Sequence, residues 1–219
     1  MIKIITVAPD EIEIKQSAIE EYLGYFGAKA DAVTLPLIEE CRKEILECID
    51  FRACISEVGC CENENGGICL DFMQSSSKSL AGNLKNCETA FVFAATTGAA
   101  LHRLISKNSL ISPLKGIVTD SIGSAAIEAF CDYINKSIGD TDYLRPRFSP
   151  GYGDLSLGCQ KAILDFLEAK KHIGLALTDG GMLTPVKSVT AIIGLSKEKN
   201  KCRNKKGCMV CNRINCPYS

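Results

Sequence analysis

The stretch Arg147-Phe148-Ser149-Pro150-Gly151-Tyr152-Gly153-Asp154 places an arginine four residues ahead of a Gly-Tyr pair. Pro146 and Pro150 keep it out of a helix, because each removes a backbone donor and pushes the preceding residue toward extended geometry. The segment therefore presents a guanidinium, a glycine where backbone can approach a ligand, and an aromatic ring with a polar tip. Those groups suit a small molecule that carries both a carboxylate and a flat ring. S-adenosylmethionine has both.

Outward from this segment the pattern alternates helices with strands. Upstream, Pro113 opens a long helix to about residue 138, with Gly116 and Gly123 lowering its propensity while permitting close packing. Its apolar stripe reads Ile117, Ile122, Ala125, Ala129 and Tyr133. Asp120, Ser124 and Glu128 recur at every fourth position and stack on one line of that helix, either as a solvated face or as part of a site. Downstream, Ser156 caps a helix to about 169. Residues 173–177 and 188–195 then read as strands around the loop 178–185, a suitable place for a ligand.

Toward the N-terminus, residues 1–7 read as a strand, 14–25 as a helix and 35–49 as a second helix with Pro36 in its first turn. Cys41 and Cys48, seven apart on its apolar face, read as core packing. Residues 51–58 and 68–72 form a hairpin around the turn-rich stretch 60–67. Cys60, Cys61 and Cys69 fall there at a spacing that matches no metal pattern and read as structural thiols. Ser77 caps a short helix to about Leu84, 88–96 is a buried strand, and 99–106 is a helix.

With 219 residues the chain suits one domain and a tail, and we divide it at 1–196 and 197–219. No apolar run approaches the roughly 18 residues of a membrane span, and no export signal is apparent, so a cytoplasmic protein without membrane association is expected. Thirteen cysteines are then thiols or metal ligands rather than a disulfide framework. The net charge of −1 hides an asymmetry: the tail holds seven Lys/Arg and one Glu, against 18 basic and 25 acidic residues before it. Its charges interleave with cysteines and it has a single aromatic, Tyr218, so nucleic acid is not the expected partner.

Five pieces in this order carry a resemblance: Ser77-Lys78-Ser79-Leu80-Ala81, Phe93-Ala94-Ala95-Thr96-Thr97-Gly98, Asp120-Ser121-Ile122-Gly123-Ser124-Ala125, the Arg147 segment, and Thr184-Pro185-Val186-Lys187-Ser188-Val189-Thr190. Together they resemble the activation domain of cobalamin (vitamin B12)-dependent methionine synthase and its stand-alone relatives. In that family the Arg-x-x-x-Gly-Tyr motif binds S-adenosylmethionine. The resemblance covers about 77–195 and implies an α+β fold with a twisted, mainly antiparallel sheet and flanking helices.

It also implies site residues. Arg147 contacts the methionine portion of the cofactor, the backbone at Gly151 and Tyr152 lines its adenosyl portion, and Glu128, in Ile127-Glu128-Ala129-Phe130, accepts hydrogen bonds from its polar groups. A guanidinium fork recognises a carboxylate better than a lysine does. Full-length methionine synthase follows Gly-Tyr with Pro-Ala, whereas this chain has Gly153-Asp154; Asp154 is then either a ligand contact or a residue that fixes the turn.

The tail holds Cys202, Cys208, Cys211 and Cys216 as Cys-x5-Cys-x2-Cys-x4-Cys-Pro, with Lys205, Lys206 and Arg213 to offset thiolate charge. Four such thiols can hold an iron-sulfur cluster or a zinc ion, or serve as free redox thiols. His102 and His172 sit in no nucleophile or metal pattern, and the cobalamin-ligand motif Asp-x-His-x-x-Gly is absent. The expected function is reductive reactivation of a corrinoid protein in trans, most simply a methionine synthase, as the activation component of a methyltransferase system. An electron donor such as a flavodoxin or ferredoxin completes it. The alternative is a non-catalytic corrinoid-protein chaperone or scaffold with a structural zinc tail.

Overall fold

The computed structural model describes residues 1–140 and 143–198. In chain order the elements are β1 (Lys3–Val7), α1 (Gln16–Tyr22), α2 (Thr34–Leu46), β2 (Phe51–Glu62), β3 (Ile68–Leu70), β4 (Met73–Ser75), α3 (Lys78–Asn83) and β5 (Cys87–Thr96). They continue with α4 (Ala99–Ile111), α5 (Pro113–Ile138), α6 (Cys159–Phe166), α7 (Ala169–Ile173), β6 (Ala176–Leu177), β7 (Leu183–Thr184) and β8 (Ser188–Ser196). The main sheet runs β4-β3-β2-β5-β8, with β1 also paired to β2. Every pairing in it is antiparallel. The α+β architecture with flanking helices is the one expected.

Strand alternation divides the core into two layers, because successive side chains point to opposite faces of a sheet. Phe51, Ala53 and Ile55 of β2, Phe93 and Ala95 of β5, and Ala191 and Ile193 of β8 face α1, α2, α4 and α5. Cys54 and Val58, Ala90, Val92 and Ala94, and Ile192 face α3, α6 and α7. Both sheet faces are thus covered, which is why the central strands read as near-continuous apolar runs. The Phe51 and Phe130 rings meet at 5.1 Å between centroids and tie α5 to the sheet.

Helix α5 begins where the sequence says it should. Pro113 occupies its first turn, and the Ser112 hydroxyl accepts from the Lys115 amide at 3.5 Å. That bond is long, so Ser112→Ala is expected to cost about 0.5–1 kcal/mol, the lower half of the usual capping range. Thermal denaturation monitored by circular dichroism measures it; an unchanged midpoint would show that Pro113 alone sets the helix start. Gly116 lets α5 cross α4 closely, since a β-carbon there would lie 2.5 Å from the Ser109 hydroxyl oxygen.

Several boundaries differ from those read in the sequence. Helix α4 runs on to Ile111, because Leu110 and Ile111 are exposed and supply no periodic signal. Helix α1 is shorter, with Ile14 buried ahead of it. The expected helix from Ser156 to about 169 is split into α6 and α7 by Glu168, whose left-handed backbone (φ 46°) interrupts it, and Ile173 belongs to α7 rather than to a strand. Ile117, read as part of the apolar stripe of α5, is 57% exposed; the buried stripe instead runs through Val118, Ile122, Ala125, Ala126 and Phe130. Among the described residues no helix is long and apolar enough to cross a membrane.

The Arg147 segment is the sheet's outer edge. Leu144 and Phe148 lie opposite Leu195 and Ile192 of β8, and the Arg145 and Phe148 amides donate to the Gly194 and Ile192 carbonyls at 2.8 and 2.9 Å. Pro146 fits there because an edge position does not require its missing N–H.

Candidate functional site

Edge pairing to β8 brings Arg147 against the polar line of α5. The Glu128 carboxylate accepts from Nη2 of Arg147 at 2.8 Å and Asp132 accepts from Nη1 at 2.7 Å. The guanidinium is largely enclosed, with 21% of the side chain exposed, whereas Glu128 and Asp132 are 45% and 66% exposed. With its amide oriented to satisfy both groups, Asn135 accepts from Nη1 at 3.2 Å and donates to the Cys131 carbonyl at 3.3 Å. One turn earlier along the same line, Lys187 reaches Asp120 at 2.8 Å and donates to the Ser124 hydroxyl at 2.8 Å. The Asp120, Ser124 and Glu128 line thus meets two cations from outside the helix, Lys187 and Arg147.

Arg147 and Glu128 open onto a cavity of about 490 Å³. Glu128, Asp132 and Asn135 of α5 form one wall, Arg147, Ser149 and Tyr152 another, and Gln160 of α6, Leu183 of β7 and residues 188–190 of β8 close it. This size falls in the range of small-molecule and cofactor sites. Thr190 belongs to that wall, is 2% exposed, and its hydroxyl has no hydrogen-bond partner among the described residues. A buried hydroxyl left without a partner costs free energy, so a polar group of a ligand at this wall would be stabilised by it.

The Gly-Tyr pair sits on a tight turn. Gly151 has φ 93°, its amide donates to the Leu155 carbonyl at 2.8 Å, and Tyr152 is 56% exposed with its ring edge-on to Phe148. Gly151 and Asp154 do not line the cavity. Asp154 instead accepts from the Ser77 hydroxyl, from the Lys78 amide at 2.9 Å and from the Ser79 amide at 3.1 Å. Of the two roles its sequence position left open, these bonds are those of a residue that fixes the turn. Gly153 completes the join, because a β-carbon at its φ of 53° would lie 2.6 Å from the Ser79 hydroxyl oxygen.

Asp132, Lys187 and Thr190 went unassigned in the sequence. Asp132 is the next step of the four-residue line after Glu128, and Lys187 and Thr190 lie inside the last of the five pieces. Tyr22 is a further neighbour: burial first, then the charge of Glu128, holds its phenol above the ordinary range. The tail cysteines Cys202, Cys208, Cys211 and Cys216 lie outside the described residues. Among those described, no group of three or more His, Cys, Asp or Glu side chains is placed to hold a metal ion.

The same arrangement of elements is found in a solved protein. The fold is that of the MetH reactivation domain. Its crystal structure bound to AdoHcy superposes on this chain with a TM-score of 0.67, covering 91% of this chain and 80% of that one at 13% sequence identity. No protein-family model and no curated protein matches the sequence. The likeness to the MetH reactivation domain is therefore one of fold, and at this identity the site has to be argued from its own residues.

Proposed function

We propose that the chain binds S-adenosylmethionine in the α5 cavity and supports reductive reactivation of a cobalamin-dependent methyltransferase, most simply a methionine synthase, in trans. The observation that carries this reading is Arg147, enclosed by Glu128 and Asp132 on the wall of a cofactor-sized cavity. The fold is shared with a domain solved bound to AdoHcy.

The residues fit such a ligand by charge and by hydrogen bonding. Two carboxylates and one guanidinium leave the wall with a formal charge of about −1, while a molecule with a carboxylate, an ammonium and a sulfonium carries about +1. Arg147 would take the carboxylate, Glu128 and Asp132 would accept from the ammonium, and the Thr190 hydroxyl would pair with a further polar group. When bound, the ligand supplies a methyl group whose transfer to cobalt makes an otherwise uphill reduction effectively irreversible. The chain's contribution is positioning: a rigid edge strand and α5 hold the anchoring groups, and no side chain need move a proton. An external flavodoxin or ferredoxin, or an iron-sulfur cluster on Cys202, Cys208, Cys211 and Cys216, would deliver the electron.

One observation favours a second reading. Arg147 already has two carboxylate partners, which is what a corrinoid-protein chaperone that has lost the ligand would also retain. Calorimetric titration of anaerobically purified protein separates the two. Saturable binding of S-adenosylmethionine is expected, with affinity about fivefold above that of its zwitterionic thioether product, because the lost sulfonium charge is worth roughly 1 kcal/mol against a solvated negative wall. Equal affinities would remove the charge argument. No binding up to millimolar ligand by folded protein would leave the scaffold reading.

A further inference from the structure

The cysteines of the β2–β3 hairpin are absorbed by no part of this site. Most described cysteines are buried and inert: burial pushes the Cys54 and Cys131 thiols up to about 12 and that of Cys60 up to about 11. Cys61 and Cys69 differ. They are directly opposed in the antiparallel register of β2 and β3, Cys61 is exposed and Cys69 partly so.

Directly opposed residues of an antiparallel pair have Cα atoms about 4.5 or 5.5 Å apart, according to whether they exchange ladder bonds. Both separations fall inside the roughly 4.4–6.8 Å window of a disulfide, and opposed side chains leave the sheet on the same face. The flanking pairs, Cys60 with Leu70 and Glu62 with Ile68, keep the register from slipping, and Ile68 and Leu70 are buried on the other face.

We propose that Cys61 and Cys69 form a reversible redox pair whose substrate is a low-molecular-weight disulfide such as oxidised glutathione. The exposed Cys61 thiolate attacks one sulfur of that disulfide, forming a mixed disulfide and releasing one thiolate. Cys69, deprotonated, then attacks Cys61 Sγ, the intramolecular bond forms, and the second thiolate leaves. Two electrons pass from the cysteines to the small disulfide, and the two protons lost by the cysteines end on the two thiols released. Cys69 is the less exposed of the two, which suits the resolving role after an external disulfide has met Cys61.

The product would pin β2 to β3 beside α3, which packs on β3. Because the hairpin lies apart from the α5 cavity, the inference stands whether or not that cavity binds S-adenosylmethionine.

Its test uses the full chain equilibrated across glutathione redox buffers, trapped by acid, alkylated and mapped by peptide mass spectrometry. Expected is the joint loss of Cys61 and Cys69 alkylation in a single two-electron transition, with a Cys61–Cys69 linked peptide, reversal by reduced glutathione, and stable glutathionylation of Cys61 in the Cys69→Ser variant. Two thiols that stay alkylated under oxidising buffer, or that titrate separately, would overturn the proposal. So would linkage of Cys61 to a tail cysteine in place of Cys69.

Discussion

Arg147→Ala is expected to weaken S-adenosylmethionine binding by about 2–3 kcal/mol, roughly two orders of magnitude in Kd, because a charge-assisted pair of hydrogen bonds to a carboxylate is lost in an enclosed setting. The fold should survive. Glu128 and Asp132, freed of their partner, are 45% and 66% exposed and can be solvated where they stand, so thermal stability should change much less than affinity. Arg147→Lys keeps the charge without the planar fork and should fall between the two, since one ammonium cannot satisfy Glu128, Asp132 and a ligand carboxylate together. Calorimetry on the three proteins measures this, with circular dichroism to confirm folding. Wild-type affinity in the alanine variant would exclude the guanidinium as the anchor and return Arg147 to a purely structural ion pair.

Asp154→Ala should destabilise the protein by about 1–2 kcal/mol, the scale of a helix cap shared among several donors. Asp154 serves as a cap in trans: its carboxylate sits on the first amides of α3 and on Ser77, whose own hydroxyl accepts from Leu80 at 3.0 Å. Losing it frees those donors and releases the end of the Arg147 segment from α3, so ligand affinity should also fall several-fold. The Ser77 hydroxyl, followed by the Lys78 and Ser79 amides against an opposing desolvation, holds the Asp154 carboxyl well below the usual carboxylate range.

A folded pKa depressed in this way makes the contribution present above the unfolded value of about 3.9, and it is lost as the pH falls below that toward the folded pKa. Urea denaturation of wild type and Asp154→Ala should therefore show a gap at pH 7 that narrows at pH 3. A gap of equal size at both pH values would show that the carboxylate charge is not what caps α3. A gap absent at pH 7 would remove Asp154 from the stability of the loop altogether.

These two residues also mark how far the sequence could be read. The non-helical character of the Arg147 segment was legible because Pro146 and Pro150 act locally. What Asp154 touches was not, because Ser77 and Lys78 are more than seventy positions away and no spacing rule connects them. Helix α5 was legible from Pro113 at its start, while the Ser112 cap was seen only in the structure. Its neighbour α4 was underestimated, since Leu110 and Ile111 are apolar residues left outside. Asp132 is an intermediate case: the four-residue line through Asp120, Ser124 and Glu128 pointed to it, but only the approach of Arg147 distinguishes it from any other exposed carboxylate on a helix.

The amino-acid order alone determined those features set by local chemistry: proline and glycine punctuation, caps, and the runs at 51–58 and 88–96 apolar enough to be covered on both faces. It therefore settled most element types, while the α+β class was what the resemblance of the five short pieces implied. Which edge of the sheet takes the Arg147 segment, which carboxylates enclose the guanidinium, and that Cys61 faces Cys69 were decided only by tertiary structure. Each depends on β8 and β3 being laid beside particular strands, and such long-range pairing is a property of the packed sheet as a whole, with no local signature in any one of its parts.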